Sequence, residues 1–130
     1  MGGMKLRIQG NSLRLRVTQP ELARLVEGRE VADVIHLGPA VGASLRYTLT
    51  IADQAAPVEV AYQEGAIAVS ITPEQLRAWT DESAVGIYAT LEIGPGGLLD
   101  VAVEKDFKCL DIRGEQDKDA FPNPLVGKVC

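Results

Sequence analysis

A strand pattern that runs directly into a capped helix occurs twice in this 130-residue chain, and the repeat constrains the fold more than any other feature. Thr18 and Thr72, which are 54 residues apart (72 − 18), each precede a helical segment in the N-cap position. Glu21 and Gln75 follow three residues later and can close a capping box. A proline stands in the first helical turn of both copies, where its missing amide has no partner to lose. The shared spacing predicts two equivalent units.

Alternating apolar and polar residues on both sides of each helix predict the remaining elements. Each unit reads as strand, strand, helix, strand, strand, over residues 4–53 and 58–105. Because a unit of about 50 residues is marginal alone, we expect both to share one core in a single domain, residues 1–130. The predicted class is mainly β (α+β), with the duplicated unit closing into an antiparallel barrel or sandwich of about eight strands and two short helices.

The first hairpin is predicted to carry a row of cations on one face. The two-residue loop Gly10-Asn11 fixes the register, so Arg7 lies opposite Arg14 and Lys5 lies opposite Arg16. Because like charges directly across strands are destabilising, this face is predicted to need an anionic partner or to be neutralised by the chain itself. The acidic residues considered for that second role are Asp111, Glu115, Asp117 and Asp119.

Residues 106–130 have no counterpart in the repeat and are interpreted as a C-terminal tail that packs on the core or extends from it. The positions of the second hairpin that match the cations are Glu59, Ala61, Ala68 and Ser70. Paired alanines on a face that is charged in the other half suggest a cover, for which the tail is the candidate. We therefore expect Phe107 and Leu110 to be buried.

Composition limits the classes of partner. The net charge of −5 argues against a general nucleic-acid or anionic-membrane binder. No apolar run reaches transmembrane length, and two cysteines are too few for a secreted disulfide scaffold. We expect no signal peptide. We expect a cytoplasmic monomer or homodimer without a cofactor. Its expected partner is an unknown protein or a small anionic ligand, and neither nucleic acid nor a membrane.

Metal binding and catalysis are alternatives that depend on the chain after residue 103. Glu104, Asp106, Cys109 and Cys130 could gather around a metal ion, with His36 as a further ligand. Zinc sites usually show closely spaced cysteine or histidine pairs, which this sequence lacks. The carboxylates could also serve acid–base chemistry, but no nucleophile motif or phosphate loop accompanies them. An enzyme is therefore not the leading hypothesis.

Two short segments resemble the AbrB/MazE swapped-hairpin family. They are Gly10-Asn-Ser-Leu13, before the second strand, and Pro20-Glu-Leu-Ala-Arg-Leu25 in the helix. Members of that family are dimeric bacterial transcription regulators and antitoxins that bind DNA through basic hairpin faces. The resemblance implies a fused pseudo-dimer whose DNA-contacting residues would be Lys5, Arg7, Asn11, Arg14 and Arg16. The second half lacks the matching charges.

The whole chain also resembles a small bacterial family known only as a domain of unknown function. Residues 5–16, 103–110 and 121–124 carry this resemblance. It implies a bacterial origin and no particular activity. The leading hypothesis is a non-enzymatic binding or interaction module. A DNA-binding regulator and an enzyme or metalloprotein that uses Glu104, Asp106 and Cys109 are the alternatives.

Overall fold

The computed structural model describes residues 3–107, which form a mainly β fold of eight strands and two helices. In chain order the elements are β1 (Lys5–Gln9), β2 (Ser12–Val17), α1 (Gln19–Val26), β3 (Val31–His36), β4 (Ser44–Ile51), β5 (Val58–Gln63), β6 (Ala66–Ile71), α2 (Pro73–Trp79), β7 (Gly86–Glu92) and β8 (Leu98–Lys105). A short 3-10 turn, Gly94–Gly96, joins the last two strands. The predicted strand, strand, helix, strand, strand order therefore occurs twice along the described residues.

Both helices begin where the threonines predict. Thr18 and Glu21 form a capping box, in which the Thr18 amide donates to Glu21 Oε1 at 2.9 Å. At the second helix, the Gln75 amide donates to Thr72 Oγ1 at 3.3 Å. These contacts satisfy amides that have no partner inside the helix. The caps explain why each strand stops and a helix starts at the same point of its unit.

The strands form two four-stranded sheets. Each sheet contains two hairpins, one from the first half of the chain and one from the second. Sheet A has the order β1-β2-β8-β7 and sheet B the order β3-β4-β6-β5. The central pairs, β2 with β8 and β4 with β6, are parallel. The expectation of purely antiparallel sheets is therefore wrong, because two hairpins joined side by side place strands of the same direction at the seam. The described strands form two open sheets and no closed barrel.

The same hydrogen bonds join the hairpins in both sheets. In sheet A, the Asp100 amide donates to the Asn11 carbonyl at 3.2 Å, and the Arg46 amide donates to the Gly65 carbonyl at 2.8 Å in sheet B. At the opposite end of the seam, Asp106 N bonds Val17 O at 2.8 Å, and Ala52 N bonds Ile71 O at 2.9 Å. Each bond has its equivalent 54 residues away along the chain.

The core lies between the inner faces of the sheets and the two helices. Its fully buried side chains are Met4, Leu15, Val17, Leu25, Val31, Leu49, Val58, Val69, Ile71, Trp79 and Val103. Each strand alternates, so every second side chain points away from this core. Neither helix has the length and apolar character needed to cross a membrane, among the residues that the structure describes.

The start of the tail differs from the expectation. Phe107 is 59% exposed, so the prediction that it is buried is wrong. Asp106 and Phe107 follow β8 in sheet A, which is the sheet opposite the paired alanines of sheet B. Leu110 and the remaining tail residues lie outside the described range.

Candidate functional site

The outer face of sheet A collects most of the charged side chains that the sequence marks as candidates. Because Leu15 and Val103 point into the core, their strand neighbours Arg14, Arg16 and Glu104 point outward. Arg16 lies beside Glu104 in the register of β2 and β8. The predicted basic hairpin and the predicted acidic strand end therefore meet on one surface.

The cation pairs of the first hairpin have the predicted register. Arg7 is opposite Arg14, and Lys5 is opposite Arg16, across β1 and β2. We call these four residues the basic face. They surround a shallow depression of about 320 Å³, with Leu6 as the fifth lining residue.

Glu104 is the counter-ion at the centre of the surface. Its side chain is only 13% exposed, and its Oε1 lies 3.4 Å from Nε of Arg16 and 3.5 Å from Nε of Arg14. The other oxygen, Oε2, accepts a hydrogen bond from the Tyr88 hydroxyl at 2.8 Å. One carboxylate thus serves two guanidinium groups and a phenol, so its oxygens are largely committed.

The other two cations have different surroundings. Nζ of Lys5 lies 3.1 Å from Oδ2 of Asp106, in an ion pair whose lysine side chain is 66% exposed. The hydrogen-bonding contact of Arg7 is with a neutral group, Gln9 Oε1, at 3.4 Å. Among residues 3–107, no carboxylate lies within ion-pair distance of Arg7. Arg7 is therefore the member of the basic face that retains an uncompensated charge there.

A second groove, of about 410 Å³, lies on the other side of Arg14. Ala102 forms part of its lining, between Arg14 on β2 and Tyr88 on β7 in the cross-strand register. Near the strand ends, the Thr90 hydroxyl donates to Asp100 at 2.9 Å. A small side chain between two large ones leaves the space, and polar groups line it.

Gly86 is what allows Tyr88 and Glu104 to meet. A Cβ at this position would lie 2.7 Å from the Val103 carbonyl oxygen, 2.8 Å from Glu104 Cγ and 3.0 Å from Tyr88 Oη. The first of these is a backbone atom in the neighbouring strand, which cannot move aside easily. The space around position 86 therefore excludes every residue that has a Cβ atom, and glycine fits.

The Tyr88 phenol is held in its neutral form by its surroundings. Partial burial raises the pKa of Tyr88 above the usual 10.0, and the hydrogen bond to Glu104 together with that carboxylate's charge raises it further, against the opposing effect of Arg14 and Arg16. The residue as a whole is 59% exposed. The bond to Glu104 is therefore the part of this environment that a single substitution can remove.

The remaining predicted site residues are not part of this cluster. Asn11 donates its side-chain amide to the Leu98 carbonyl at 2.6 Å, which ties the hairpin loop to β8. His36 lies at the end of β3, in sheet B, and not beside Glu104 and Asp106. Cys109 and Cys130 lie outside the described residues. Within residues 3–107, no three histidine, cysteine, aspartate or glutamate side chains form a group that could hold a metal ion.

Tyr88, Ala102 and Gly86 are the site residues that the sequence reading missed. They become neighbours of the basic hairpin only through the pairing of β2 with β8, which brings residues 88 positions apart together. The opposite charges of Arg16 and Glu104 fit this pairing. They do not predict it, because no local feature of the sequence fixes the register of the seam.

The outer face of sheet B carries alanines at the two positions that match Arg7 and Arg14 of sheet A. Ala61 lies opposite Ala68, as the loop at Glu64-Gly65 predicts, and Ala68 lies beside Thr48 on the parallel strand. The two alanines are exposed among the residues that the structure describes. Whether the tail covers them stays a prediction, because residues 108–130 lie outside that range.

The comparison with known families gives one match. The family model for DUF7009, described as a family of unknown function, matches residues 4–125. It covers both sheets, the basic face and most of the tail. No curated protein matches the chain.

Proposed function

The chain belongs to DUF7009, a family of unknown function, and we propose that it is a non-enzymatic interaction module that binds carboxylate groups through the basic face of sheet A. The observation that carries this proposal is Arg7, which pairs with Arg14 across the hairpin and has no carboxylate within ion-pair distance among residues 3–107. An incoming anion would relieve the repulsion across the hairpin. The carboxylates could belong to a small polycarboxylate or to an acidic segment of a protein.

The chemistry of the cations favours a carboxylate ligand. A guanidinium presents a planar fork of donors that matches the two oxygens of a carboxylate. Glu104 shows that a carboxylate can be held on this face, since its Oε1 lies between Nε of Arg14 and Nε of Arg16. Arg7 and the exposed Lys5 extend the row toward the sheet edge, where a ligand can reach them.

Binding explains the site better than catalysis. A general base needs a carboxylate that is free to take a proton from a substrate. Both oxygens of Glu104 accept from protein groups, and Asp106 is paired with Lys5. These contacts suit a fixed counter-ion, which sets the positions of the arginines.

We also propose that the two halves are a duplicated unit arranged as a pseudo-dimer. The recurrence of the seam hydrogen bonds at a spacing of 54 residues supports this. The two hairpin faces have diverged, because Ala61 and Ala68 stand where Arg7 and Arg14 stand in the first half. One face then serves binding and the other does not.

Calorimetric titration of the full chain tests the proposed binding. The ligands are citrate, a short glutamate peptide and a random DNA duplex, each at low salt and at about 0.15 M salt, where screening acts beyond about 8 Å. We expect citrate or the peptide to bind and Arg7→Glu to weaken that binding at least roughly tenfold, since the site changes from attraction to repulsion.

Arg77→Glu is the matched control, because it changes the same charge on helix α2 at a side chain that is 70% exposed. It should leave the affinity within roughly twofold, since its charge lies on a different element and is screened by solvent and salt. Equal losses in both variants would mean that net charge alone matters. Tight duplex binding that falls steeply with salt would replace carboxylates with nucleic acid as the partner class. No binding of any of the three ligands would overturn the proposal.

A further inference from the structure

The basic face ends at a free edge of sheet A, which favours a partner with an extended backbone. Sheet A and sheet B have four edge strands among the described residues: β1 and β7 in the first, β3 and β5 in the second. Strand β1 pairs only with β2 there, and four of its five residues are exposed. An edge strand offers unpaired amides and carbonyls to another extended chain.

The hairpin loop determines which backbone groups face that edge. A two-residue loop makes its flanking residues, Gln9 and Ser12, a hydrogen-bonded pair, and bonded pairs recur at every second position. Lys5 and Arg7 therefore direct their backbone groups toward β2. The amides and carbonyls of Leu6 and Ile8 point to the free edge.

The side chains along β1 are equally ordered. Lys5 and Arg7 lie on the outer face of the sheet, and Leu6 and Ile8 lie on the inner side, where Ile8 is 58% exposed. A strand added beside β1 would place alternate residues next to the cations and next to the apolar pair. The complementary sequence alternates acidic and apolar residues.

The other three edge strands, β3, β5 and β7, contain no lysine or arginine. On β7, Tyr88 and Thr90 are turned to Glu104 and Asp100 of the neighbouring strand. The outer face of β5 carries Glu59, Ala61 and Gln63, without a cation. Pairing of β1 with β1 of a second copy would bring two cationic rows together, which opposes self-association.

We propose that β1 is a docking edge for an extended segment of a partner protein in which acidic and apolar residues alternate. The segment adds a fifth strand to sheet A. Its backbone bonds to Leu6 and Ile8, and its carboxylates contact Lys5 and Arg7. This inference rests on the proposed function, and it goes further by naming the conformation and the sequence pattern of the partner.

The test uses the full chain and a peptide of alternating valine and glutamate. Two derivatives carry N-methyl groups, one on the valine amides and one on the glutamate amides. Only one of these alternate sets faces β1, so we expect one derivative to bind at least tenfold more weakly and the other to bind nearly as well as the parent. A peptide of equal composition with its valines and glutamates in separate blocks should also bind at least tenfold more weakly. Arg7→Glu should abolish the difference between the derivatives, and Arg77→Glu should preserve it.

The outcomes separate the two proposals. If the parent peptide binds and Arg7→Glu weakens it, but both methylated derivatives bind alike, carboxylate binding stands and strand addition is wrong. If neither the peptide nor citrate binds, both proposals fail. Folding of Arg7→Glu is checked by circular dichroism and by the fluorescence of Trp79, the single tryptophan.

Discussion

The contact between Glu104 and Tyr88 requires that position 86 of β7 has no Cβ atom. Gly86 meets this requirement: the position of its missing Cβ lies 2.7 Å from a carbonyl oxygen of β8. We expect Gly86→Ala to destabilise the protein by about 1–3 kcal/mol, the usual cost of overpacking. Urea unfolding followed by Trp79 fluorescence measures the change.

Gly38 supplies the control for this substitution. A Cβ there would meet only the Cβ of Ala43, at 3.4 Å, which is an ordinary contact. Gly38→Ala should therefore leave the free energy of unfolding nearly unchanged. An equal loss in both variants would contradict the steric explanation at Gly86.

Tyr88 reports on the same contact through its titration. Its pKa lies above 10.0 because of partial burial first and the bond to Glu104 second. The folded state therefore holds this proton more tightly than the unfolded state, so the resulting stability is present below about pH 10 and is lost as the pH rises through the folded pKa. We expect Glu104→Gln to lower the pKa of Tyr88 toward 10.0. Tyrosinate absorbance, taken as the difference from Tyr88→Phe, measures it, and an unchanged midpoint would contradict this assignment.

At the scale of elements, the helix caps are the most local determinants. The Gln75 amide bonds to Thr72 Oγ1 at 3.3 Å, and we expect Thr72→Ala to cost about 1 kcal/mol of unfolding free energy. Thr72→Ser keeps the acceptor and should recover most of that loss. Thermal or urea unfolding of the pair measures it. A serine variant as unstable as the alanine variant would show that the methyl group matters and the cap does not.

Local signals were enough to predict the elements. Alternation and the two-residue loops predicted the first hairpin of each half, and the threonine caps predicted where both helices begin. The register of Arg7 with Arg14 followed from loop length alone. These features depend on residues that are close in sequence.

The same local signals do not predict how the hairpins pair to form the sheets. The parallel seam between β2 and β8 joins residues from opposite ends of the described chain, and no turn fixes its register. The role of Glu104 as a shared counter-ion depends on that seam. The acidic strand end was therefore predicted as a metal or catalytic candidate, whereas its carboxylates in the structure face cations.

For the molecule as a whole, charge is distributed unevenly against a net charge of −5. The acidic excess lies elsewhere, while sheet A concentrates four cations on its outer face. The matching positions of sheet B carry no cation: Glu59, Ala61, Ala68 and Ser70. Such a local field can attract a carboxylate even to an acidic protein, because surface charges are screened beyond about 8 Å at 0.15 M salt. The internal carboxylate of Glu104 limits this field.

Stability and binding should therefore respond in opposite directions when Glu104 loses its charge. Glu104→Gln keeps the shape and an acceptor for Tyr88, but it leaves Arg14 and Arg16 without their counter-ion. Loss of charged hydrogen bonds at a side chain only 13% exposed should lower the free energy of unfolding by about 1–3 kcal/mol. The same change strengthens the positive field, so the affinity for citrate or the glutamate peptide should rise roughly twofold to fivefold at low salt. Unfolding and titration of this one variant measure both effects. A loss of affinity would show that Glu104 positions the arginines for the ligand more than it neutralises them.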